Sequence, residues 1–148
     1  MAIKIYTDGS SKKMLLSAGA GAVMIFPNGH LEVITKYLGN KTNNFAELYA
    51  IYTALCHALS DFGSTVPIEI YSDSKYALQA ITGNVKAKKN LDLIAKSKGI
   101  AAEFDNISFN WVKGHSGNKY NHLAHLLASI AIEQGLQQRD PSLQPEAV

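Results

Sequence analysis

At 148 residues, 47% of them hydrophobic, the chain has the size of one domain with a core large enough to fold alone. A single cysteine, Cys56, excludes a disulfide framework; it reads as a buried thiol in a helical apolar pattern, which favours a reducing, cytoplasmic setting. The net charge of +2 identifies no partner by itself, and the longest weakly polar run, Ala18 to Phe26, is too short to cross a bilayer, so neither a signal peptide nor a membrane is expected.

Ile3-Lys4-Ile5-Tyr6-Thr7-Asp8 alternates apolar and polar residues, and Gly9-Ser10 then breaks the pattern, which predicts a strand ending on Asp8. Ala20 to Phe26 and Leu31 to Leu38 read as two further strands around the hairpin signal Pro27-Asn28-Gly29. Gly19 and Gly21 mark a close backbone approach, either to a ligand or to tight packing. Phe45, Leu48, Tyr52, Leu55, Leu59 and Phe62 step by three and four, predicting a helix capped by Asn43 or Asn44, with Glu47 in its first turn and Gly63 at its end. Val66 to Tyr71 is a fourth strand, followed by a short helix to Ile81 that Ser72 or Ser74 caps. A basic linker, Val85 to Lys89, leads to a helix from Leu91 to Ala102. Ile107 to Val112 makes a fifth strand, with Trp111 read as core. Asn121 to Gln134 is a last helix with Leu123, Leu127, Ile130 and Ala131 facing inward. The domain is placed at residues 1–135, and residues 136–148 read as a flexible tail.

This order predicts an α/β fold: a five-stranded mixed sheet, three antiparallel strands and then two parallel ones, with helices on both faces. The carboxyl ends of the parallel strands then share one edge, bringing Asp8 and Asp73 together with Glu47 facing them. Each acid alone is an ordinary surface residue or part of a cap. Clustered carboxylates repel, however, and need a cation or a proton to coexist. All-oxygen ligation suits Mg²⁺ or Mn²⁺ and not a structural zinc. From Lys75 to Lys98 six lysines face only Asp92, a local balance of +5, which is either a footprint for a polyanion or a solvated helix face.

Five segments together resemble the type 1 ribonuclease H family: Tyr-Thr-Asp-Gly-Ser (6–10), Thr-Asn-Asn-Phe-Ala-Glu-Leu (42–48), Tyr-Ser-Asp-Ser (71–74), Trp-Val-Lys-Gly-His-Ser-Gly (111–117) and Asn-His-Leu-Ala-His (121–125). The resemblance implies an RNase H-like fold and an endonuclease that hydrolyses the RNA strand of RNA/DNA hybrids by a two-metal mechanism, leaving 5′-phosphate ends. It makes Asp8 the ligand shared by both ions, with Glu47 and Asp73 each favouring one. It gives His115 a part in proton transfer or product release; the alternative for His115 is a plain loop histidine. Gly9, Ser10, Asn43, Asn44 and Gln79 correspond to residues that contact the hybrid near the scissile bond, and Thr42 to part of a pocket for a DNA-strand phosphate.

The chain departs from the family pattern in two places. The family's Asn-x-x-Ala-Asp reads Asn121-His122-Leu123-Ala124-His125 here, so His125 stands where a fourth acidic ligand is usual. An imidazole there implies a site that prefers Mn²⁺ to Mg²⁺. His122 reads as a surface residue. The basic protrusion that many members use to grip the hybrid is short and lacks tryptophan, which leaves Lys86, Lys88 and Lys89 to touch phosphates. The expectation is an active monomeric enzyme; the competing reading is a hybrid-binding module of the same fold that lost catalysis through His125. The Asn43-Asn44 pair disfavours a DNA-cleaving relative.

Overall fold

A computed structural model describes residues 1–83, 86–114 and 117–139. Its sheet has the order β3-β2-β1-β4-β5, with β1 (Ile3–Lys12), β2 (Ser17–Ile25) and β3 (Leu31–Gly39) antiparallel in sequence. β4 (Ile68–Ser72) and β5 (Ile107–Trp111) run parallel to β1. The helices are α1 (Asn43–Phe62), α2 (Lys75–Thr82), α3 (Leu91–Ala101) and α4 (Lys119–Arg139). Three strands joined by short turns give the meander, and the two helical crossovers return the chain parallel to β1.

Strand alternation divides the core. Ile3, Ile5, Ala22 and Met24 pack with Leu48, Ile51 and Leu55 of α1 on one face, while Tyr6 and Val23 pack with Ala124 and Leu127 of α4 on the other. Asp8, two residues beyond Tyr6, therefore shares the face that α4 covers.

Several boundaries differ from the sequence reading. β1 does not stop at Asp8: it continues to Lys12 because Ser10, Ser11 and Lys12 pair with Gly19, Ala18 and Ser17 of β2, and the turn comes at Lys13–Leu15. Gly9 is thus not a turn residue. A Cβ at Gly9 would overlap the backbone of Ala46 and Glu47, so its lack of a side chain is what lets α1 approach the sheet. Gly19 and Gly21 serve packing, not a ligand, since a Cβ at either would meet the backbone of α4. Thr42, not Asn43 or Asn44, caps α1, its hydroxyl accepting from Phe45 N–H at 3.1 Å, which places Glu47 beyond the first turn. Ser74 caps α2 in the same way through Ala77 N–H at 3.0 Å.

The last helix is longer than expected. Leu136, Gln137, Gln138 and Arg139 are good helix formers and continue α4 past residue 136, where the sequence reading places the tail; residues 140–148 lie outside the described residues. Ile130 is exposed instead of inward, and Cys56 is half-buried instead of fully buried. Trp111 is 49% exposed and not a core residue, because it closes an edge strand beside the site. No helix among the described residues is long and apolar enough to cross a membrane.

Candidate active site

The last parallel pair between β1 and β4 is Thr7 with Ser72, so Asp8 and Asp73 are each the next residue on adjacent strands. Glu47 reaches them from α1, where the Gly9 approach puts its carboxylate within hydrogen-bonding distance of Gly9 N–H. One oxygen from each of Asp8, Glu47 and Asp73 lies within 4.8 Å of the others. Asp8 and Glu47 are buried, and Asp73 is partly buried.

On the α4 side His125 Nδ1 stands 2.8 Å from Asp8 Oδ2. His122 is exposed on the rim of the same cavity, and His115 lies outside the described residues. The cavity, about 640 Å³, is also bordered by Gly9, Ser10 and Asn43.

Crowding sets the protonation of the three acids. Burial, then the hydrogen bond and charge of Asp8, push the Glu47 carboxyl up to about 10, against a smaller lowering by Gly9 N–H. Burial and the Asp8 charge also raise Asp73. At neutral pH and without a cation, Glu47 therefore keeps its proton.

The donor set fits divalent ions. Three carboxylates on rigid elements supply hard oxygen ligands, and the buried Asn121 carboxamide oxygen on the cavity wall has no hydrogen-bond partner among the described residues. Asp8, Glu47 and Asp73, with His125 beside them, are the groups that would hold such ions. An ion there would also replace the proton that keeps Glu47 neutral.

A second hollow of about 570 Å³ adjoins the first, and Asn43 borders both. It gathers Thr42, Asn44, Gln79, Lys86, Lys88 and Lys89, which come from three separated stretches of sequence. Lys13 and Tyr76 border it as well and were not anticipated. The Tyr76 hydroxyl accepts from Asn90 Nδ2 at 2.9 Å, which anchors the end of the lysine segment.

Other residues that shape the site also escaped the sequence reading. The Trp111 indole N–H donates to the Asp73 carbonyl at 3.1 Å, and Lys75 Nζ sits 4.7 Å from the Trp111 ring centroid. A Cβ at Gly114 would come within 2.9 Å of Asp73 Oδ2, so glycine is what lets this loop lie against the carboxylate. The Gly114 signal was present in the Gly-His-Ser-Gly run. Nothing in the spacing marked Trp111 as a neighbour of Asp73.

Comparison with known proteins matches this geometry. The RNase H family model covers residues 1–133. Ribonuclease H of Ehrlichia ruminantium is 34% identical over 143 residues, 88% of this chain and 94% of its own length. That of Hahella chejuensis is 33% identical, covering 90% of this chain and 95% of its own. Among solved structures, RNase H1 of Halobacterium salinarum superposes with a TM-score of 0.75 at 26% identity, covering 90% of this chain and 99% of its own. LC11-RNase H1 in complex with RNA/DNA hybrid gives 0.76 at 28% identity, with the same coverage of the two chains. On the carboxylate cluster, the sheet order and these matches, the chain belongs to the RNase H family, whose members hydrolyse the RNA strand of RNA/DNA hybrids with divalent metal ions.

Proposed function

We propose that the two adjoining hollows form one working surface, in which Asp8, Glu47, Asp73 and His125 hold two divalent ions at the scissile phosphate and the lysine-lined hollow carries the hybrid. The observation that carries this reading is the convergence of three carboxylates to within 4.8 Å beside a groove bordered by four lysines. Bound divalent ions supply a more acidic attacking water and neutralise the charge that develops on the leaving 3′ oxygen, so the products carry 5′-phosphate ends.

The chain's own groups do the rest. Asp8, in contact with His125 and close to Glu47 and Asp73, would be the shared ligand, and Glu47 would lose its proton to bound cations. Trp111 ties down the Asp73 carbonyl, and Gly114 leaves room for the loop beside its carboxylate. Gly9, Ser10 and Asn43 border the cavity where the RNA backbone crosses the acids, and Asn43, Asn44 and Gln79 offer amide groups to 2′-hydroxyls and base edges. Thr42 spends its oxygen lone pair on Phe45 N–H yet keeps its hydroxyl proton to donate to a phosphate of the DNA strand. Lys86, Lys88 and Lys89 are exposed and add sequence-independent attraction for phosphates. One chain carries the whole surface, so a monomer suffices.

His125 sets the metal preference. It brings an imidazole nitrogen and no fixed negative charge, which favours Mn²⁺ over Mg²⁺ at the position it borders. Metal titrations of hybrid cleavage test this: half-maximal activity comes at lower Mn²⁺ than Mg²⁺ in the parent, and His125→Asp lowers the Mg²⁺ requirement. Full activity in Mg²⁺ with no change in metal dependence for His125→Ala would rule it out.

A further inference from the structure

A second group of metal-ligating side chains lies well away from the carboxylate cavity. His57 and Asp61 stand one turn apart near the end of α1, and Glu32 reaches the same point from β3. His57 is ten residues beyond Glu47 on the same helix, about 15 Å along its axis. His57 Nε2 lies 3.0 Å from Asp61 Oδ2 and 3.5 Å from Glu32 Oε2. The ligand atoms of all three residues fall within 4.8 Å of one another.

We propose that Glu32, His57 and Asp61 form a binding site for a transition-metal dication of the zinc class. Ligand atoms held about 2.1 Å from one ion are separated by about 3.4 Å in a tetrahedron and about 3.0 Å in an octahedron. The two imidazole-to-carboxylate separations, 3.0 and 3.5 Å, fall near these edges, and all three ligand atoms lie within 4.8 Å of one another, so an ion can enter once the two carboxylates draw together. One nitrogen and two carboxylate oxygens suit Zn²⁺ and its neighbours, whereas Mg²⁺ has little use for the imidazole. Two carboxylates also balance the charge of the ion. The side chains are between 39% and 45% exposed, which leaves water free to fill the remaining positions. His30 borders a hollow of about 400 Å³ together with Glu32.

The placement gives the ion a structural effect. β3 is an edge strand, and an ion shared by Glu32 with His57 and Asp61 ties that edge to α1 without touching the hydrolytic site. Binding to the folded chain alone raises its melting temperature.

Zn²⁺ titration by calorimetry, with Co²⁺ absorption as the probe of nitrogen ligation, tests the site. The parent binds one Zn²⁺ more than His57→Ala, and that equivalent survives in Asp8→Asn/His125→Ala, whose hydrolytic site is disabled. Glu32→Gln weakens the same equivalent by at least about tenfold. Hybrid cleavage in Mg²⁺ is unchanged in His57→Ala and reports that the variant is folded. Equal Zn²⁺ stoichiometry and affinity in the parent, His57→Ala and Glu32→Gln would overturn the assignment, whatever the activity of the hydrolytic site.

Discussion

At the scale of single residues, Glu47 shows most clearly what the site is built to receive. A carboxyl pushed up to about 10 by burial and by Asp8 stays neutral at pH 7, and its ionised form is a poor resident of the protein core unless a cation takes the place of its proton. Divalent ions entering at pH 7 should therefore release protons. Calorimetry in buffers of different ionisation enthalpy measures that number, and Glu47→Gln should lower it. Asp8, the acid nearest both His125 and the Gly9–Glu47 contact, is the least replaceable. Asp8→Asn should reduce the rate of hybrid cleavage by at least about a hundredfold while leaving the fold intact, checked by single-turnover kinetics and circular dichroism. The three acids were legible in the sequence because each falls in a segment that resembles a family motif; only Asp73 sits at a junction of elements, since Asp8 lies inside β1 and Glu47 beyond the first turn of α1. Trp111 was not: its hydrogen bond to Asp73 joins residues 38 apart and depends on β5 lying beside β4, which no local pattern reports.

At the scale of elements, the site depends on how closely helices approach the sheet. Gly21 lets α4 lie against β2, since a Cβ there would stand 2.7 Å from Ala128 N and 2.8 Å from the Leu127 Cβ. Gly21→Ala should push α4 outward, cost about 1–3 kcal/mol of stability and move His125 away from Asp8. Urea denaturation reads the first effect and metal dependence of cleavage the second. Thr42→Ala removes the cap of α1 and should cost about 1 kcal/mol. The helix and strand types followed from periodicity, and the parallel direction of β4 and β5 followed from the crossovers. The ends were harder to place. Gly9-Ser10 has the composition of a turn, yet β1 runs on to Lys12 because β2 is there to pair with it. Leu136 to Arg139 looks like the start of a glutamine-rich tail, yet it continues α4.

At the scale of the whole molecule, charge and protonation couple folding to metal and substrate. The folded-state value for Glu47 is raised from its usual 4.5 to about 10, so the stability linked to its proton is fully present below about pH 4.5 and is lost as pH rises toward about 10. In chelator, stability should fall across that window by up to about 1.4 kcal/mol per pH unit, and Mg²⁺ or Mn²⁺ should flatten the slope. The lysine groove adds a second dependence. Lys86→Ala, Lys88→Ala and Lys89→Ala combined should raise KM and make hybrid binding less sensitive to salt, by about one unit of log–log slope for each phosphate that a lysine no longer neutralises. The groove was visible in the sequence only as a run of positive charge. Its meeting with Thr42, Asn43, Asn44 and Gln79 at one hollow is a product of the fold. The most direct test uses labelled RNA/DNA hybrid, duplex DNA and single-stranded RNA, each incubated with the chain and with Asp8→Asn in Mg²⁺ and then in Mn²⁺. The chain should cut only the RNA strand of the hybrid and leave 5′-phosphate ends, while Asp8→Asn binds the hybrid without cutting it. Binding of the hybrid with no cleavage by the unmodified chain in either metal would contradict the assignment of Asp8, Glu47, Asp73 and His125 as a hydrolytic centre.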